Sequence, residues 1–148
     1  SKMTVFSPGS YCQKGKCYMK KATKEWFDSA ESDLLLIREI CSNETLTHLS
    51  AFHAQQAIEK SFKAIIEEFE LGFIKTHSLE MLFNIVRDKI KIKSDYDQLI
   101  ILDQLYIDSR YPGEMGLLPN GKPTLKESKQ FLDLAMEIIK AAKLACRK

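Results

Sequence analysis

From Thr23 onward the apolar positions of this chain recur with a period near 3.6 residues, the spacing that places them on one face of an α-helix. In the first predicted helix Trp26, Ala30, Leu34, Ile37 and Cys41 form the stripe, with Thr23 as N-cap and Asn43 just past the end. A second helix runs from about Thr47 to Leu71 with Ala54, Ile58, Phe62, Ile65 and Phe69 on its apolar face, and Gly72 supplies a stop at the C′ position. The third begins near Ser78 and buries Leu79, Leu82, Phe83, Val86 and Ile90. The fourth opens at Ser94-Asp95-Tyr96-Asp97, a variant capping box, and carries apolar residues on nearly every side from Leu99 to Ile107. Such a helix is expected to lie centrally or at a subunit contact. The last starts at Thr124-Leu125-Lys126-Glu127, a full capping box, and buries Phe131, Leu132, Leu134, Ala135, Ile138, Ile139 and Ala142.

Two stretches break the period. Residues 1–20 carry Pro8, Gly9 and Gly15 and read as an irregular leader. Tyr111 to Pro123 holds three of the four prolines and three of the six glycines, which excludes a helix and leaves a long loop of the kind that often serves function. The predicted fold is therefore all-α: an antiparallel, up-and-down bundle of four to five helices over residues 21–148, preceded by the leader.

Composition narrows the function classes. The chain has 148 residues, enough for one domain with a substantial core. Its net charge of +2 does not by itself predict nucleic-acid binding, so any electrostatic argument must come from local clusters. Cys12, Cys17, Cys41 and Cys146 lack the second closely spaced ligand pair that a zinc site needs, so no metal is expected. No apolar run approaches the roughly 18 residues of a membrane span, and the start has no signal-peptide core. These features point to a reduced, cytoplasmic protein.

Four features do not fit plain bundle packing. Asp33 projects onto the apolar arc of the first helix, where a carboxylate requires a cation or donors unless it reaches water at the edge. On the second helix His53, Gln56, Lys60 and Lys63 form one polar stripe beside the small residues Ala57 and Ala64. That stripe reads as a solvated face, as a row of donors for a phosphate or nucleobase, or as a close helix contact in a dimer. Arg110 and Tyr111 precede Pro112, which ends the fourth helix near Arg110. A guanidinium there suits the helix dipole and also suits phosphate. His77, at the entrance to the third helix, is either a capping-region residue or an acid–base candidate. No hydrolase triad, Walker, Rossmann or zinc-hydrolase pattern is present.

Taken together, these residues resemble the HEPN domain family. Trp26, Ala30 and Asp33-Leu34 resemble its first helix, Phe52-His53-Ala54-Gln55-Gln56-Ala57-Ile58-Glu59-Lys60-Ser61-Phe62-Lys63-Ala64 its second, Thr76-His77-Ser78-Leu79 the start of its third, and Ser109-Arg110-Tyr111-Pro112 the end of its fourth. The resemblance covers about Lys21 to Ala142 and is specific as an ordered set. It implies a bundle that pairs as a homodimer and is commonly encoded beside, or fused to, a minimal nucleotidyltransferase, as in toxin–antitoxin modules. Several members cleave RNA through an arginine followed after four to six residues by a histidine. Here Arg110 is followed by Tyr111-Pro112-Gly113-Glu114-Met115-Gly116-Leu117, and His48, His53 and His77 all precede it.

That departure favours a non-catalytic bundle that binds a nucleotide or a protein partner and needs no cofactor. Arg110 would grip phosphate, Tyr111 would stack, and His53, Gln56, Lys60, Lys63 and Asp33 would line the same region. The alternatives are a metal-independent ribonuclease, with His53 or His77 supplying the missing histidine from elsewhere in the dimer, and a purely structural partner subunit.

Overall fold

The computed structural model describes residues 11–13, 16–93, 96–109 and 122–147. Its elements are a two-stranded antiparallel hairpin, β1 (Tyr11–Gln13) and β2 (Lys16–Tyr18), followed by helices α1 (Lys21–Ile40), α2 (Thr47–Glu68), α3 (Leu79–Val86), α4 (Tyr96–Ser109) and α5 (Leu125–Cys146). The helical bundle matches the predicted architecture. The hairpin is new: it occupies part of the expected irregular leader and pairs Cys12 with Cys17 in its register. Three-residue strands are too short to show the alternation by which a strand is read from sequence.

α2 is the central helix and packs against each of the other four. Ile58, Phe62 and Ile65 on its inner face are fully buried, each contributing roughly 1.5–3 kcal/mol on removal from water. They meet Ala30, Leu34 and Ile37 of α1 and Leu134, Ala135, Ile138 and Ile139 of α5 in one core. Ala57 and Ala64 are also fully buried within the chain, so these small residues serve packing inside the bundle and are not available for a dimer contact. Trp26 and Cys41, expected on the buried stripe of α1, lie half-buried at its margin, with Phe27 in the core. α4 is not central. Leu99 and Leu102 face inward, while Ile100, Ile101 and Ile107 are exposed on its outer side.

Two helix ends depart from the sequence pattern, each for a physical reason. α1 starts at Lys21 rather than after Thr23, because its cap comes from far along the chain. Glu68 Oε1 accepts hydrogen bonds from the Lys20 backbone N–H at 3.0 Å and from the Thr23 hydroxyl at 2.8 Å. That carboxylate satisfies an orphan donor at the helix start and complements its dipole. α2 stops at Glu68, short of Gly72. The Leu71 N–H bonds to the Ile66 carbonyl at 2.9 Å and the Glu70 N–H to the Glu67 carbonyl at 3.3 Å, the paired bonds of a Schellman motif. Its left-handed residue is Glu70, at φ 51°, not glycine. Thr124 caps α5 as predicted, with the full capping box at Thr124–Glu127, and Ser78, near which α3 was expected to begin, caps that helix. The predicted cap at Ser94-Asp95 lies outside the described residues. Among the described residues no helix is long and apolar enough to cross a membrane.

Candidate phosphate-binding face on helix α2

Asp33 sits on the α2-facing side of α1, and its side chain is only one-tenth exposed. An ionised carboxylate there must be paired, and both of its oxygens are. Oδ2 accepts from Lys60 Nζ at 2.7 Å, and Oδ1 lies 2.9 Å from His53 Nδ1. The cation that Asp33 requires is therefore supplied by Lys60. His53 and Lys60 stand seven residues apart on α2, two turns on the same stripe, which lets one carboxylate bridge both. An ionised carboxylate only accepts, so the hydrogen at this contact resides on His53 Nδ1. The His53 side chain is about one-quarter exposed, so the stripe is neither core nor freely solvated.

A second carboxylate repeats the arrangement one turn along. Glu59 is almost completely buried. Its Oε2 accepts from Lys63 Nζ at 2.8 Å, and both of its oxygens lie 3.1 Å from His77 Nδ1. The Gln55 side-chain amide donates to Glu59 Oε1 at 3.3 Å and to the His77 carbonyl at 2.9 Å, which fastens the approach to α3 against α2. Gln56 donates in turn to the Gln55 side-chain oxygen at 2.8 Å. More than half of the His77 side chain remains exposed. Each carboxylate thus holds one lysine and one histidine by its Nδ1, and the two clusters lie side by side along α2.

Aromatic rings tie this face to α4. Phe52 stacks on Tyr106 at 5.4 Å between centroids and meets the His53 ring edge-on at 5.2 Å. Tyr106 also lies 6.0 Å from His77. The last turn of α4 therefore lies beside His77 and reaches His53 only through Phe52. Arg110 and Tyr111 themselves lie outside the described residues. The structure brings Asp33, His53, Gln56, Lys60, Lys63 and His77 into one region. Gln55 and Glu59 were missed. Polar residues on a helix that also carries lysines read as a solvated face, and only their spacing from Phe62, seven residues for Gln55 and three for Glu59, hinted at burial.

At the far end of the stripe is a cavity of about 440 Å³. Its walls include Trp26, Lys63, Ile66, Phe73, Lys75 and His77. Among the described residues, no group of three or more His, Cys, Asp or Glu side chains is arranged to hold a metal ion.

Fold and site together define a small helical bundle that carries carboxylate-anchored histidines and lysines on its central helix. A family model for the HEPN domain matches residues 23–145, and the chain belongs to that family. Among solved structures it is similar to ST0689, an archaeal HEPN homologue, at 25% identity and a TM-score of 0.60, covering 84% of this chain and 98% of that one. It is also similar to TT1696 from Thermus thermophilus, at 23% identity and a TM-score of 0.66, covering 83% of this chain and 97% of that one. The second likeness is one of fold alone. No curated protein matches the chain.

Proposed function

We propose that this HEPN domain binds the phosphate of a nucleotide or RNA on the α2 face, as a non-catalytic module working with a separately encoded nucleotidyltransferase. The observation that carries the reading is the bridge from Asp33 to Lys60 and His53. One partly buried carboxylate holds an ammonium at the rim of the bundle, oriented before any ligand arrives, and the Lys60 ammonium keeps hydrogens beyond the one it gives Asp33. A preorganised donor of this kind lowers the ordering cost of binding. Arg110, next in sequence after α4, whose Tyr106 stacks on Phe52 beside His53, would complete the grip with a bidentate guanidinium. The unit would act as a homodimer through the exposed outer side of α4, where Ile100, Ile101 and Ile107 form an apolar strip.

Isothermal titration of wild type, Lys60→Gln and Arg110→Ala with nucleoside triphosphates and short RNAs tests the binding. Each substitution is expected to weaken affinity at least tenfold, about 1.4 kcal/mol. Unchanged affinity in both variants refutes the site. Co-purification with the product of a neighbouring nucleotidyltransferase gene tests the partnership.

One observation favours a second reading, a metal-independent ribonuclease. Both histidines are anchored by Nδ1 on a carboxylate, the orientation that presents Nε2 for proton transfer. Cleavage of RNA in chelator, lost in His53→Ala or His77→Ala, would establish it; full retention of activity in both variants, or no cleavage by the wild type, would exclude it.

A further inference from the structure

We propose that the cavity between Trp26 and Phe73 receives the base of a nucleoside phosphate, either a free nucleotide or one unpaired residue of RNA. This rests on the phosphate-binding reading of α2 and assigns the other half of the ligand. The cavity opens where the α2 stripe ends. At a rise of about 1.5 Å per residue, Lys63 lies about 4.5 Å further along the helix axis than Lys60. A phosphate held by these two lysines therefore stands within one nucleotide's reach of the cavity. A volume of about 440 Å³ falls within the range of small-ligand sites, about 300–1,000 Å³.

The walls have the right chemistry for a base. Trp26 is half-buried and packed on the core, so its ring is a fixed platform. Phe73, on the connection between α2 and α3, is 86% exposed. The connection is fastened at its far end, where the His77 carbonyl is bound by Gln55. Lysine amines already lie over both rings, Lys63 Nζ at 5.6 Å from the Trp26 centroid and Lys75 Nζ at 5.7 Å from that of Phe73. They mark the electron-rich ring faces and keep two cations beside the place where a stacked base would carry its phosphate. The lining carries two lysines, Lys63, which also holds Glu59, and Lys75, with one carboxylate, Glu67. A protein segment would also find apolar walls here, but two aromatic rings, each with a lysine amine beside it, favour a base with a phosphate attached.

Trp26 is the chain's only tryptophan, so its fluorescence reports directly on the cavity. The full chain is titrated with AMP, with a short unpaired adenine oligonucleotide and with ribose 5-phosphate, followed by tryptophan emission and by calorimetry in parallel. AMP or the oligonucleotide is expected to quench Trp26 saturably, and whichever quenches at the lower concentration identifies the source. Ribose 5-phosphate, which has no base, is expected to bind at least tenfold more weakly. Phe73→Ala and Lys75→Ala, both on the surface connection and checked for retained helicity, are each expected to raise Kd about tenfold. Ribose 5-phosphate binding as tightly as AMP overturns the inference. Calorimetric binding that weakens in Lys60→Gln, without change in Trp26 emission and with Phe73→Ala behaving as wild type, overturns the cavity assignment and leaves the phosphate site standing. No heat with any ligand overturns both.

Discussion

Replacing Lys60 by methionine keeps the aliphatic stem and removes the ammonium, leaving Asp33 with His53 alone. Orphaning one member of a buried ion pair costs about 3–5 kcal/mol, whereas exposed pairs contribute about 0–1 kcal/mol. Here Asp33 is one-tenth and Lys60 one-fifth exposed, and the His53 contact survives the change. An intermediate loss of about 2 kcal/mol follows, or about 6 °C in Tm for a chain of 148 residues. Asp33→Asn alone keeps an acceptor for His53 but leaves the Lys60 ammonium unneutralised, and is expected to cost about 1–2 kcal/mol. The double variant contains neither charge and should lose only about 1 kcal/mol, because no buried ion is left unpaired. The four proteins form a double-mutant cycle, read by urea unfolding, with an expected coupling of about 2–3 kcal/mol. Losses that add within about 0.5 kcal/mol would refute the reasoning, since the contact would then contribute nothing beyond its separate members.

Glu70→Gly, at the left-handed end of α2, is expected to raise stability by about 0.5–1 kcal/mol, because the lost contact to Lys20 is long, at 3.8 Å, and half-exposed; a lowered urea midpoint would contradict this. Burial, aided by the charge of Lys122, holds the His48 imidazole below the ordinary 6.5. The unfolded chain therefore takes up this proton first, so the His48 contribution is complete above pH 6.5 and declines as pH falls from 6.5 towards the lowered native value. His48→Gln should flatten that part of the stability–pH curve, and an unchanged slope between about pH 7 and 5 would argue against it. Ile101→Glu, on the outer side of α4, should convert a dimer to a monomer by light scattering with little change in Tm; a variant that remains dimeric would move the contact elsewhere.

The helices were legible because their apolar positions and several caps are local. Thr124 and Glu127 cap α5 within one turn, and Ser78 lies beside the helix it caps. The start of α1 was not legible, since Glu68, which caps it, is more than 40 residues away in sequence. The end of α2 was misplaced for a related reason: Gly72 is the residue type expected at a left-handed position, and the chain puts Glu70 there instead. Asp33 stood out because a carboxylate on an apolar arc is anomalous in any fold. Which cation answers it was not visible, because a helical wheel places Lys60 on a face without showing how α1 and α2 are rotated against each other. Glu59 escaped notice altogether. With Lys63 four residues on, it reads as an ordinary exposed i, i+4 pair until the approach to α3 covers it.

Tyr106 occupies a position whose consequence is mechanical. Its ring rests on Phe52, which abuts His53, and it stands beside His77, while its own helix carries Ile100, Ile101 and Ile107 on the opposite side. A protein that seats itself against the exterior of α4 and rolls that helix by a fraction of a turn would move this one ring, and with it the surroundings of both imidazoles. Occupancy on the outside of the bundle could in this way be sensed by the anchored histidines, and ligand on the α2 side would by the same linkage alter the affinity for whatever binds outside.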